Sequence, residues 1–116
     1  MTANANDWIK TQVDSNDVVL FMKGTKTMPQ CGFSGRVAQI LGYLSVDYKD
    51  INVLEDATIR DGIKAYANWP TIPQLYIKGE FVGGADIVQE MFRSSELQTM
   101  LSEKGVEFEN RALPAA

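Results

Sequence analysis

The chain has 116 residues, a net charge of −4 and one cysteine, and 45% of its residues are hydrophobic. This length corresponds to one ordinary domain with its own core, and the acidic balance argues against a nucleic-acid-binding protein, because phosphate contacts require a basic face. The chain contains no histidine, which excludes Ser-His-Asp and Cys-His catalytic sites and histidine-rich zinc sites.

The first half of the chain alternates helical and strand patterns. Residues 8–13 carry a weak helical spacing of apolar side chains, and the apolar run 18–22 predicts a buried strand. The polar stretch 24–30, with a proline near its end, indicates a loop. Apolar residues recur at helical spacing over 33–44, and 46–51 alternates like a half-buried strand.

The second half predicts a helix, a hairpin and further helices. Asp56 is a candidate N-cap for a helix over 59–67. The prolines within 69–73 interrupt regular structure, and 75–82 has the pattern of a β-hairpin around a Gly-Glu turn. The order of elements favours an α/β fold, in which a mixed sheet is covered by helices on both faces.

The last part of the chain predicts two short helices. Asp86 is expected to cap the first, and Ser95 with Gln98 forms a possible capping box for the second. We expect residues 6–104 to form the core of a single domain and 105–116 to be a loose tail.

Cys31 stands where the first loop enters an amphipathic helix. Unpaired backbone N–H groups and the positive end of the helix dipole gather at such a position and should lower the pKa of the thiol. Lys23 would add a second positive charge. The alternative is that a lone cysteine is a small buried hydrophobic residue. Because the chain has one thiol, no export signal and no apolar run of the roughly 20 residues that span a membrane, we expect a cytoplasmic protein.

Four segments together resemble the monothiol glutaredoxins of the CGFS class, and in particular their single-domain bacterial type. They are Lys23-Gly24-Thr25, Cys31-Gly32-Phe33-Ser34, Trp69-Pro70-Thr71-Ile72-Pro73-Gln74-Leu75 and Gly83-Gly84-Ala85-Asp86. The resemblance covers about residues 6–104. It implies a thioredoxin-like fold with a four-stranded mixed sheet, an additional N-terminal helix and a cis peptide between Ile72 and Pro73.

The resemblance also implies a glutathione site. Its residues would be Lys23, Cys31, Arg60, Thr71, Ile72, Pro73, Gly84, Ala85 and Asp86. Lys23 and Arg60 would pair with the glycine-end carboxylate, and the backbone of Ile72 with the cysteinyl part. The helix start at Ala85 and Asp86 would hold the γ-glutamyl end. Position 85 is often cysteine or serine in this family, so alanine leaves only backbone contacts there.

A single thiol limits the chemistry of the site. Ser34 occupies the position of a resolving cysteine, and a hydroxyl cannot resolve a mixed disulfide. A [2Fe–2S] cluster commonly takes four thiolates, of which this chain supplies one. The resemblance implies a homodimer that bridges one cluster through Cys31 of each subunit and two glutathiones.

Three functions remain open at this point. The first is a carrier that transfers a [2Fe–2S] cluster to apo iron–sulfur proteins. The second is a glutathione-dependent thiol-disulfide oxidoreductase that deglutathionylates substrates with Cys31 as the nucleophile. The third is a regulatory adaptor that pairs with a BolA-family protein. The sequence favours the cluster carrier.

Overall fold

A computed structural model describes residues 5–114 of the chain. The helices are α1 (Ala5–Ser15), α2 (Gly32–Tyr43), α3 (Ala57–Ala67), α4 (Ala85–Arg93) and α5 (Glu96–Glu103), with a 3-10 turn at Val53–Glu55. The strands are β1 (Val18–Met22), β2 (Lys49–Asn52), β3 (Gln74–Ile77) and β4 (Glu80–Gly83). None of the helices in residues 5–114 is long and apolar enough to cross a membrane.

The four strands form one mixed sheet in the order β2-β1-β3-β4. β2 runs parallel to β1, with Val19 opposite Lys49, whereas β3 is antiparallel to both β1 and β4. The two central strands, β1 and β3, are buried along their whole length. This architecture is the thioredoxin-like fold that the sequence predicts.

The alternating side chains of β1 belong to two separate cores. Val19 and Phe21 pack with α1 and α3 on one face of the sheet, and Leu20 and Met22 pack with α2, α4 and α5 on the other. Each fully buried side chain of this size contributes about 1.5–3 kcal/mol. Because Ile9 of α1 is completely buried in the first core, the N-terminal helix is an integral layer of the fold.

The predicted strand over 46–51 begins later in the structure, at Lys49. Val46 is still part of the turn that ends α2, since its N–H donates to the carbonyl of Leu41 at 3.0 Å. Ser45, in the same turn, has a φ of 54°. Val46 and Tyr48 are nevertheless buried. The alternating pattern of apolar and polar residues therefore predicted the burial of these two side chains correctly, but it wrongly predicted that they belong to a strand.

Helix capping follows the prediction at α3 but not at α4. The carboxylate of Asp56 accepts a hydrogen bond from the N–H of Thr58 at 2.8 Å and caps α3. At α4 the N-cap is Gly84, and Asp86 lies in the first turn instead. The predicted cap at Asp86 is therefore wrong by two positions.

The predicted capping box of α5 is also wrong. Ser95 is the N-cap, but its φ is 69° and its side chain makes no capping bond. The hydroxyl of Ser94 instead accepts from the N–H of Glu96 at 3.3 Å. Gln98 turns inward and donates to the carbonyl of Phe92 at 3.3 Å.

Residues 105–114, which we expected to be loose, form no helix or strand but are attached to the domain. Val106 is buried in the core. The N–H of Glu109 donates to the carbonyl of Leu44 at 2.7 Å, and the hydroxyl of Tyr43 donates to the carbonyl of Ala112. The end of α2 therefore holds this segment; the remainder of the predicted tail, 115–116, lies outside the described residues.

Candidate functional site

Cys31 is the N-cap residue of α2 and its thiol is partly exposed. The backbone N–H of Ser34 lowers the pKa of the thiol most, against a smaller rise from burial. The N–H of Phe33, the hydroxyl of Ser34 and the charge of Lys23 lower it further. Because the residue is partly exposed, the alternative of a buried hydrophobic cysteine is wrong.

Ser34 connects the helix that carries the thiol to the central strand. Its side chain is completely buried, and its hydroxyl accepts a hydrogen bond from the backbone N–H of Lys23 at 3.0 Å. A buried hydroxyl without a partner would be costly, so this bond fixes the first turn of α2 against the end of β1. Ser34, which cannot resolve a mixed disulfide, therefore has a structural role.

The loop between β1 and Cys31 is closed by its own backbone. The N–H of Gln30 donates to the carbonyl of Lys23 at 2.9 Å, and Thr25 and Met28 exchange two backbone hydrogen bonds of 3.1 Å. Gly24 begins the loop with a φ of +92°. These hydrogen bonds therefore fix the position of Cys31 beside the end of β1.

A cleft of about 660 Å³ opens beside Cys31. Four parts of the chain form it: the region between Lys23 and Phe33, α3 at Lys64, the segment 69–73 and the start of α4. The residues that line it are Lys23, Cys31, Phe33, Lys64, Trp69, Pro70, Thr71, Ile72, Pro73, Gly84, Ala85, Asp86 and Ile87. The structure thus brings together all of the predicted site residues except Arg60.

Arg60 does not line the cleft. Its Nε lies 3.5 Å from the carboxylate of Asp61, on the exposed surface of α3. Lys64, one turn further along the same helix, lines the cleft in its place. Residues four apart lie on one face of a helix, and this spacing is the signal that could have identified Lys64.

Sequence reasoning also missed the apolar rim of the cleft. Phe33 is 57% exposed and Ile87 is 39% exposed, and both line the opening. Exposed apolar side chains of this size at a cleft are typical of contact surfaces. Their signal in the sequence was their position within or beside the motifs that contain Cys31 and Asp86.

The segment 69–73 carries the predicted cis peptide between Ile72 and Pro73. Trp69 packs tightly against the start of α4, because a Cβ at Gly84 would lie 3.2 Å from its indole nitrogen. That nitrogen is buried and has no hydrogen-bond partner among the described residues. Glycine at position 84 thus lets the two walls of the cleft approach each other.

The charged residues that line the cleft are Lys23, Lys64 and Asp86. The N-terminal turn of α4, which begins at Ala85, also lies at the cleft, and the first N–H groups of a helix have no partner within the helix. Asp86 places one carboxylate next to this turn. The cleft therefore offers two ammonium groups and helix N–H groups to the anionic parts of a ligand, and one carboxylate to a cationic part.

Comparison with known proteins agrees with this geometry. Residues 18–82 match the sequence model of the glutaredoxin family. The chain is 52% identical over 105 residues to the probable monothiol glutaredoxin 2 of Rickettsia typhi, which covers 90% of this chain and 95% of that protein.

Solved structures show the same similarity. The solution structure of a monomeric truncated mutant of Trypanosoma brucei 1-C-Grx1 matches with a TM-score of 0.84 at 40% identity, covering 91% of this chain and 96% of that one. The crystal structure of a buckwheat glutaredoxin–glutathione complex matches with a TM-score of 0.79 at 28% identity, covering 90% and 93%. This chain therefore belongs to the glutaredoxin family, as a monothiol member with Cys31 as its one thiol.

Proposed function

We propose that this protein binds glutathione in the cleft beside Cys31 and that two copies hold a [2Fe–2S] cluster as cargo for apo iron–sulfur proteins. The observation that carries the proposal is the pairing of one partly exposed thiol of lowered pKa with a cleft suited to a small dianionic peptide. The protein would act in the cytoplasm, where thiols are kept reduced.

Glutathione is the ligand that we propose for the cleft. The buckwheat relative is a complex with glutathione, and the lining residues here complement that tripeptide. Lys23 and Lys64 would pair with the glycine-end carboxylate, a role that we assign to Lys64 rather than to Arg60. The N–H groups at Ala85 and Asp86 would hold the γ-glutamyl carboxylate, and the side chain of Asp86 its ammonium.

The donor set explains why the cluster would need two copies and glutathione. No group of three or more His, Cys, Asp or Glu side chains within residues 5–114 is placed to hold a metal ion. Cys31 would supply one thiolate per chain, so two chains and two glutathione thiolates complete the four that a [2Fe–2S] cluster commonly takes. The exposed rim at Phe33 offers apolar surface to the second copy.

Anaerobic reconstitution tests the proposal. Protein supplied with iron, sulfide and glutathione should turn brown and elute as a dimer, and omission of glutathione should prevent both changes. Cys31→Ser should stay colourless while its circular dichroism and unfolding midpoint match the wild type, because the exposed thiol contributes little to the core. A colourless monomer from wild-type protein under these conditions would refute the carrier.

The lowered pKa of Cys31 also favours the second function, deglutathionylation. The Cys31 thiolate would attack the glutathione sulfur of a mixed disulfide and release the substrate thiolate. A second glutathione would then attack the Cys31–glutathione disulfide, giving glutathione disulfide and the free Cys31 thiolate. Turnover of a mixed disulfide by cluster-free protein at enzymatic rates would establish this function in place of the first.

The third function, pairing with a BolA-family protein, rests on the family resemblance. We propose such a protein as a second partner of the cluster-bound form. Co-purification from cells with and without the Cys31→Ser substitution tests it, because a partner that requires the cluster should be lost with the thiol.

A further inference from the structure

Gln74, at the start of β3, is a completely buried polar residue whose side chain is fully engaged. Its Nε2 donates to the carbonyl of Trp69 at 3.2 Å and to the carbonyl of Thr71 at 3.3 Å. Its Oε1 accepts a hydrogen bond from the hydroxyl of Tyr76 at 3.0 Å. Two acceptors at one end of the amide and a donor at the other define its orientation.

The two carbonyls belong to the wall of the cleft. Residues 69–73 form neither helix nor strand, so no ladder of backbone hydrogen bonds fixes them. Among the described residues, neither the N–H nor the carbonyl of Ile72 makes a backbone hydrogen bond. Gln74 therefore holds this wall from the protein side, while the backbone of Ile72 stays available to a ligand.

Tyr76 makes the support rigid. Its side chain is 2% exposed, and its ring packs edge-on against Phe21, with centroids 5.7 Å apart. It also contacts Phe81, at a centroid distance of 5.4 Å. The hydroxyl that anchors Gln74 is thus attached to the core rather than to a mobile side chain.

We propose that Gln74 is a positioning residue for the tripeptide site: through the carbonyls of Trp69 and Thr71 it sets the shape in which Ile72 meets the ligand. This inference rests on the glutathione binding proposed above. Preorganisation of this kind raises affinity because the segment is already ordered before the ligand binds.

The substitution Gln74→Met tests the role, since methionine has a similar volume and neither donates nor accepts as the amide does. We expect glutathione to bind about tenfold more weakly, because two carbonyls of the wall lose their donor. The dissociation constant comes from anaerobic titration of ¹⁵N-labelled protein with reduced glutathione. The same spectra report whether the variant is folded.

Gln98→Met is the matched control. Gln98 is also a buried glutamine that donates to a backbone carbonyl, that of Phe92, but it lies in α5 away from the cleft. This variant should lose stability and keep wild-type affinity. A structural effect alone would weaken binding equally in both variants, and that outcome would overturn the inference.

Tyr76→Phe provides a milder second variant if Gln74→Met does not fold. It keeps the ring and removes only the hydroxyl that anchors Gln74, so we expect glutathione to bind about threefold more weakly. With clear binding by the wild type, unchanged affinity in folded Gln74→Met, or in Tyr76→Phe where Gln74→Met does not fold, would overturn the role of Gln74 alone. An absence of binding in the wild type would overturn the glutathione site as well.

Discussion

Replacement of Gly24 by alanine should distort the loop between β1 and Cys31. Gly24 has a φ of +92°, and a Cβ built there would lie 2.5 Å from the backbone nitrogen of Gln30 and 2.5 Å from the carbonyl oxygen of Met28. Both are backbone atoms that make hydrogen bonds within the loop, the first to the carbonyl of Lys23. Neither can move aside while the loop keeps its shape.

The expected loss of stability has two parts. A residue with a Cβ in the left-handed region costs about 1–2 kcal/mol. Displacement of Gln30 loses its hydrogen bond to Lys23, which contributes about 1 kcal/mol. We therefore expect Gly24→Ala to lower the free energy of unfolding by about 2–3 kcal/mol, out of the ~5–15 kcal/mol typical of a domain.

Urea unfolding followed by circular dichroism measures this change, and Gly42→Ala is its control. Gly42 lies in α2, and a Cβ there would meet no atom within 4 Å. Alanine at this helical position should stabilise the protein by about 0.5–1 kcal/mol. A Gly24→Ala variant within ~0.5 kcal/mol of wild type, or effects of the same sign at both glycines, would contradict the reasoning.

Three further substitutions have defined outcomes. Ser34→Ala should raise the pKa of Cys31 towards its ordinary value of 9.0, because the hydroxyl of Ser34 helps to lower it. Alkylation of Cys31 by iodoacetamide should then be slower at pH 7, and the pH midpoint of the alkylation rate should be higher. An unchanged midpoint would show that the hydroxyl does not lower the pKa of the thiol. Lys64→Gln should weaken glutathione binding in a calorimetric titration more than Arg60→Gln does, and the reverse order would restore the sequence-based assignment. Asp56→Ala should lower the urea midpoint at pH 7. Hydrogen bonds, first of all those from Thr58, hold the pKa of Asp56 below its ordinary value. The stability that Asp56 contributes is therefore fully present at a pH above its ordinary pKa and is lost as the pH falls through its lowered pKa. The urea midpoints of the variant and the wild type should converge in acid.

The sequence predicted the fold well because its apolar patterns report burial directly. The run at 18–22 and the hairpin at 75–82 became β1, β3 and β4 at nearly the predicted bounds. The strand at 46–51 was misplaced because Val46 is buried by the turn after α2 rather than by strand pairing. Periodicity alone cannot distinguish these two causes of burial.

Helix ends were less predictable than helices for a related reason. Asp56 caps α3 by a bond within three residues of itself, which a local pattern contains. Gly84 caps α4 beside Trp69, which is far away in the sequence, and a Cβ there would lie 3.2 Å from the indole nitrogen. The packing at this helix end therefore involves a tertiary contact that no local motif records.

The residues of the candidate site likewise fall into two groups: those that a local motif contains and those whose role depends on the folded structure. The motif around Cys31 and the helix start at Ala85 are continuous in the sequence, and the structure places both in one cleft. Lys64 lines the cleft from α3, one helical turn after Arg60, the residue that the resemblance had named. Gln74 was visible in the sequence, but its role depends on hydrogen bonds to carbonyls that a sequence does not display.

The buried polar residues of the domain show where the fold is most constrained. Within residues 5–114 these are Ser34, Gln74 and Gln98. Ser34 bonds to the backbone of Lys23, and Gln74 bonds to that of Trp69 and Thr71, and all three of these partners line the cleft. Gln98, away from the cleft, leaves its Oε1 without a partner among the described residues. A buried polar group whose hydrogen bonds are satisfied specifies one backbone geometry. The hydrogen bonds of Ser34 and Gln74 therefore fix the backbone of the cleft walls that would receive the tripeptide. The proposed function requires a second thiol, that of glutathione, and a rigid cleft is what would hold that thiol close to Cys31.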